Sequence, residues 1–70
     1  MVTMYPVSSS NIDEIGYDVT TSTLYIKFKN NRLYSYDNVP ESVYDNLKSA
    51  SSVGSFFHQN IRDVYVTHKL

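Results

Sequence analysis

Seventy residues carry six Lys and Arg against seven Asp and Glu, two His and no Cys, for a formal charge of −1 at pH 7. So balanced a chain exerts no general electrostatic pull on nucleic acid, and without cysteine it has no disulfide, thiolate or cysteine–zinc chemistry. The 41% apolar share lies in short alternating runs, which excludes a disordered tail, and no stretch approaches the roughly 18 apolar residues of a membrane span.

Met1 to Pro6 shows neither the basic leader nor the apolar segment of a signal peptide, so a cytoplasmic location is expected. A folded chain of this length should expose about 4,500 Å² and remove roughly 7,000 Å² from water. At about 25 cal/mol per Å² of apolar surface the gain is on the order of 100 kcal/mol, and ordering the chain costs about the same. That balance calls for an aromatic-rich core or for self-association. Seven Tyr and three Phe supply the large side chains.

Met1 to Asn11 reads as an extended leader ending in the polar run Ser8-Ser9-Ser10-Asn11. From Ile12 the pattern has period two, with Ile15, Tyr17 and Val19 facing inward and Glu14, Gly16 and Asp18 outward, which predicts a half-buried strand. Thr20 to Thr23 forms the next turn. Leu24, Ile26 and Phe28 alternate with Tyr25, Lys27 and Lys29 in a second strand, Asn30-Asn31 is a tight turn, and a third strand runs from Arg32 to Asp37.

Two registers compete at that hairpin. A two-residue loop pairs Lys29 with Arg32 and sets Leu33, Ser35 and Asp37 beside Phe28, Ile26 and Leu24, leaving Tyr25, Tyr34 and Tyr36 with Lys27, Lys29 and Arg32 on an open face suited to stacking single-stranded RNA. A three-residue loop over Lys29, Asn30 and Asn31, a type I turn with a bulge, pairs Phe28 with Arg32 and brings Tyr34 and Tyr36 alongside Ile26 and Leu24. The first arrangement buries an unpaired carboxylate at a cost of several kcal/mol, while the second adds aromatic area to the core. The second is the expected register, with both tyrosines under the helices and Tyr25 and Leu33 on the open face.

After Val39 the period becomes helical. Pro40 suits the first helical position, Glu41 the positive helix start, and Val43, Tyr44, Leu47 and Ala50 form an apolar stripe. Ser49 to Ser52 interrupts it. Ser51 is the expected N-cap of a second helix with the stripe Val53, Phe57 and Ile61, continuing to Val64 or Tyr65. The alternating tail Val64 to Leu70 can leave that helix as a short strand. The fold expected is a single α+β domain over residues 1–70, a three-stranded antiparallel meander covered on one face by two C-terminal helices.

Catalytic signatures are missing. None of the ten Ser residues sits in a nucleophile elbow, and His58 and His68 have no acid at a diagnostic spacing, nor any metal-ligand partner. No enzyme activity, cofactor or metal is expected. Phosphate recognition has a better physical basis: Ser51, Ser52 and Gly54 open the second helix with small residues whose free amides an anion can approach. Gly54, His58 and Arg62 follow at intervals of four, and Arg62 offers a planar fork for phosphate. The bland alternative is a capping Ser51, a Gly54 that permits close packing, and an Arg62 paired on the surface with Asp63 or Glu41.

Val7-Ser8-Ser9, Ile12, Gly16-Tyr17-Asp18, Leu24 to Phe28, Tyr34-Ser35-Tyr36, Val39-Pro40, Val43-Tyr44, Ala50-Ser51, Gly54, Phe57 and Ile61-Arg62 with Tyr65 together resemble the KTSC domain family over nearly the whole chain. That family is named for an extension at the C-terminus of some lysyl-tRNA synthetases and also occurs as small free-standing proteins of bacteria and phages. The resemblance implies RNA binding, assigns no catalytic residue, and makes Tyr34 and Tyr36 the central motif and Ile61, Arg62 and Tyr65 the closing one. Asn31 stands where the family commonly has Gly, and Asn also tolerates a left-handed backbone.

The function expected is a non-enzymatic binding domain for a phosphate-bearing ligand, a small nucleotide or a short RNA, held by Ser51, Ser52, Gly54, His58, Arg62 and Tyr65. In a phage such a domain would sequester its ligand. Lys27 and Lys29 are expected to project into solvent beside no concavity. The competing reading is a protein-interaction module that self-associates or docks on a larger enzyme; a homo-oligomer is expected, its tail strand adding to a neighbour's sheet.

Overall fold

The computed structural model describes residues 2–70. Its strands are β1 (Met4–Pro6), β2 (Ile12–Asp18), β3 (Thr23–Phe28), β4 (Leu33–Tyr36) and β5 (Thr67–Lys69), and its helices are α1 (Glu41–Ser49) and α2 (Val53–Asn60). All five strands join one antiparallel sheet in chain order, β1 to β5. The folded surface of 4454 Å² agrees with the mass scaling. Among the described residues no helix is long and apolar enough to cross a membrane.

The α+β class is as expected, and the three-stranded meander is corrected to a five-stranded sheet, in which β5 is the short tail strand anticipated and β1 is new. The leader is not a free extended arm: Met4, Tyr5 and Pro6 pair with Gly16, Ile15 and Glu14 of β2. Three residues with one proline carry no readable period, yet β2 has an open edge to satisfy. Gly16 permits the closure. A Cβ there would meet Met4 Sδ at 2.5 Å and the Thr3 carbonyl oxygen at 2.9 Å, so the first strand lies directly on the glycine backbone. At the other edge β5 bonds to β4 of its own chain, with Thr67 opposite Tyr36 and Lys69 opposite Tyr34.

The hairpin adopts the bulged register. Leu24 pairs with Tyr36 and Ile26 with Tyr34, the Phe28 amide donates to the Arg32 carbonyl at 2.9 Å and the Asn31 amide to the Phe28 carbonyl at 3.0 Å. Asn31 has φ of 66°, the left-handed conformation that the bulge needs and that Asn tolerates. Tyr36 is consequently 4% exposed, with its ring edge-on to Phe57 of α2 at 5.6 Å. Tyr34 is half-buried against Phe28, which in turn meets Phe57.

Smaller corrections follow from local chemistry. A bulge between Ile12 and Glu14 lets both Ile12 and Ile15 reach the core, an odd spacing that strict alternation forbids. Val19 was expected inside but lies in the turn and is exposed. The second helix is capped by Ser52, not Ser51: the Ser52 hydroxyl accepts from the Ser55 amide at 3.3 Å. Pro40 is the N-cap of α1 rather than its first residue, since its ψ of 144° is extended. Of the two continuations of the inner stripe, Val64 is exposed and Tyr65 is partly buried.

The core lies between the sheet and the two helices, built from Ile12, Ile15, Leu24, Ile26, Tyr36, Val39, Tyr44, Leu47, Val53, Phe57 and Ile61. Tyr17 fixes the sheet to the entry of α1, stacking on Tyr44 at 5.2 Å while its hydroxyl donates to the Val39 carbonyl. Burial disfavours the phenolate of Tyr36 and pushes it up from 10.0 to about 12, with Tyr34 and Asp63 adding to the shift and Arg62 opposing it. Tyr44 is also raised, mainly by burial.

Replacing Tyr36 by Ala should destabilise the chain by about 3–5 kcal/mol in urea unfolding, the usual cost of deleting a core aromatic ring; a loss under about 1 kcal/mol would make it a surface residue.

The raised phenol predicts an alkaline transition. Below pH 10 Tyr36 is neutral in both folded and unfolded chains and its contribution is intact; between 10.0 and about 12 only the unfolded chain ionises, so stability falls as pH rises. Melting temperatures measured from pH 9 to 12 should therefore drop, and Tyr36→Phe should soften the drop while Tyr44 preserves part of it.

Candidate functional site

Two adjoining clefts lie where the N-terminal segment, the β3–β4 turn and the start of α2 meet. The first, of about 820 Å³, runs along residues 7–11 on one side and residues 51–55 on the other, closed by Lys29, His58 and Gln59. Its walls are braced from within. The Ile12 amide donates to the Ser9 hydroxyl at 3.3 Å, that hydroxyl donates to Asn11 Oδ1 at 3.2 Å, and the Lys29 amide donates to the Asn11 carbonyl at 3.0 Å. The serine run is thus a shaped wall tied to the hairpin.

Gly54 is where the two walls touch. A Cβ on it would lie 3.1 Å from Asn11 Oδ1 and 3.2 Å from Ser9 Oγ, so a side chain here would push the serine loop away. In the first turn of α2 the Ser55 amide is taken by the cap, and the Phe56 amide makes the first intrahelical bond, to the Ser52 carbonyl at 3.0 Å. The Val53 and Gly54 amides precede that bond and carry the positive end of the helix dipole. No Asp or Glu lines this cleft, and its one full charge is Lys29.

The second cleft, about 410 Å³, shares Asn11, Gly54 and His58 with the first and continues beneath the aromatic residues Phe28, Tyr34, Tyr36 and Phe57. Arg62, Asp63 and Thr67 complete its rim. Arg62 Nη1 lies 3.0 Å from His58 Nδ1; a guanidinium only donates, so Nδ1 accepts and the ring proton sits on Nε2. Arg62 Nε also faces Asp63 at 3.8 Å, the surface pairing anticipated by the bland alternative, and Asp63 has φ of 63°.

Of the expected site residues, Ser51, Ser52, Gly54 and His58 line the first cleft, and Gly54, His58 and Arg62 line the second. Tyr65 is partly buried against the core and lines neither. The expectation that Lys29 stands beside no concavity is corrected, because the bulged turn carries it to the serine wall. Sequence reasoning missed Ser8, Ser9, Ser10 and Asn11 as lining residues; the serine run itself was the available signal, read as part of a free leader. It also missed the contact of His68 Nε2 with Asp37 Oδ2 at 2.9 Å, created by the pairing of β5 with β4. Among the described residues no three His, Asp or Glu side chains cluster as metal ligands.

The fold agrees with that of known proteins. The chain superposes on the crystal structure of a KTSC domain protein from Yersinia pestis with a TM-score of 0.97 at 38% identity, covering 100% of this chain and 99% of that one. A protein of Tsukamurella paurometabola is 42% identical over 53 residues, 76% of this chain and 79% of that protein. The lysine–tRNA ligase of Trichormus variabilis is 36% identical over 61 residues, 87% of this chain but 11% of the ligase. The KTSC domain model matches residues 8–65, from the serine wall through Arg62 and Tyr65, and the chain belongs to the KTSC domain family.

Proposed function

We propose that this chain is a non-enzymatic binding domain that holds a phosphate-bearing ligand, a small nucleotide or the end of a short RNA, in the cleft between the serine loop and the start of α2. The observation that carries this reading is the cleft's lining. In a chain with more acids than bases, this concavity is free of carboxylates and is lined by hydroxyls, amides, Lys29 and the leading turn of a helix. Hydroxyl and amide donors with one cation satisfy a phosphate monoester without the run of basic residues that a long polyanion requires. His58 belongs to the same wall, and Arg62 is bonded to it. The ligase relatives act on tRNA by name, in keeping with a phosphate-bearing partner.

Titrating inorganic phosphate into the labelled protein should move the Val53 and Gly54 amide resonances. Lys29→Ala should weaken that binding by about 1.5–3 kcal/mol, the worth of a hydrogen bond to a charged group, with an unchanged melting temperature. Shifts confined to Lys27 and the open sheet face would remove the reading.

Self-association is a second reading, favoured by the outer edge of β5. Val66 accepts from the Asp37 amide and Leu70 donates to the Leu33 carbonyl, so residues 66, 68 and 70 bond inward while Thr67 and Lys69 turn their backbone groups outward. Val66 and Leu70 are 65% and 62% exposed. A second copy adding along this edge makes melting depend on protein concentration, and sedimentation showing an unchanging monomer at micromolar concentration would exclude it.

A further inference from the structure

The Tyr36 ring is packed in the core, edge-on to Phe57. Among the described residues Tyr17 is the one tyrosine whose hydroxyl bonds within the chain. Every fully buried side-chain polar atom among the described residues has a partner, so the Tyr36 hydroxyl keeps some exposure, and Tyr36 is one of the residues that line the aromatic cleft.

We infer that the aromatic cleft is a subsite for a planar heteroaromatic ring, the nucleobase of a mononucleotide whose phosphate occupies the adjoining serine cleft. Three features select that class. Phe28, Tyr34 and Phe57 supply apolar walls, and sequence-tolerant stacking on aromatic side chains is the usual way a base is held. The Tyr36 hydroxyl and the Arg62 guanidinium supply both donors and an acceptor, which suit a ring edge bearing heteroatoms and have no use for a hydrocarbon ring. Asn11, Gly54 and His58 belong to both clefts, so ring and phosphate of one molecule can lie on either side of a single shared wall. The volume, about 410 Å³, is that of a small-molecule site.

This inference rests on the phosphate reading for the placement of the anion and stands apart from it for the ring. The test compares AMP, GMP, CMP and UMP, their nucleosides, and inorganic phosphate by calorimetry and by aromatic NMR shifts, on the wild-type chain, Tyr36→Phe and Lys29→Ala. The phenylalanine variant keeps the ring and should melt as the wild type does. At least one monophosphate should bind about tenfold or more tighter than inorganic phosphate, and its nucleoside should move the Tyr36 and Phe57 ring signals. Tyr36→Phe should weaken nucleotide and nucleoside about fivefold to tenfold, the loss of one hydrogen bond, and leave phosphate binding as it was. Phosphate binding that depends on Lys29, with nucleosides leaving the ring signals unmoved in the wild type, overturns the base subsite alone. Nucleoside binding that is weakened by Tyr36→Phe, with no phosphate binding anywhere, overturns the phosphate reading and leaves the base subsite standing. Equal binding of every monophosphate and inorganic phosphate also overturns the subsite.

Discussion

One backbone residue in an unusual conformation holds this fold in register. Asn31, at φ of 66°, closes a three-residue loop instead of a two-residue one, and that single extra residue decides which face of β4 meets the helices. Because side chains alternate with period two, the other choice would turn Tyr34 and Tyr36 to the open face and bring Leu33, Ser35 and Asp37 inward. The consequence extends past the hairpin. β5 pairs with β4, so the same turn decides which face Thr67 takes and which, opposite to it, His68 takes, and with them the meeting of His68 with Asp37.

Much of this was legible because local patterns and burial energetics agreed. The alternation of β3, the helical stripes ending in Leu47 and Phe57, and the cost of burying Asp37 all pointed to one register and one α+β class. What escaped were features without a period of their own. Met4 to Pro6 is three residues, too short to show alternation, and becomes a strand because β2 presents an unpaired edge to it; the alternation of the tail did announce the short strand β5 but not the edge it joins. The cap shifted from Ser51 to Ser52 because neighbouring serines are chemically equivalent and only the geometry of the helix start distinguishes them.

The candidate site was legible by half for the same reason. Gly54, His58 and Arg62 share one helix and its exit, so their spacing alone aligned them. The opposite wall is built from Ser8 to Asn11 and Lys29, which lie far from α2 in the chain and are brought to it by tertiary contact: the Asn11 carbonyl accepts from the Lys29 amide, and Asn11 Oδ1 and Ser9 Oγ crowd Gly54. No helical or strand period could have announced that pairing. The resemblance of Val7-Ser8-Ser9 to the family pattern marked the segment without saying what it packs against.

The register and the site turn out to be one constraint. The loop that buries the Tyr36 ring is the loop that carries Lys29, and its first amide is the one anchored to Asn11, so the serine wall is positioned by the same bulge that builds the core. A chain this small has little apolar area to spare, and its aromatic residues serve twice: edge-to-face contacts among Phe28, Tyr34, Tyr36 and Phe57 add to stability beyond area alone, while their outer edges form the lining of a cleft. Packing asks only for a ring at position 36. Phenylalanine would satisfy that demand, and the hydroxyl of tyrosine bonds to none of the described residues. A tyrosine at this position suits the proposed base subsite as well as the core.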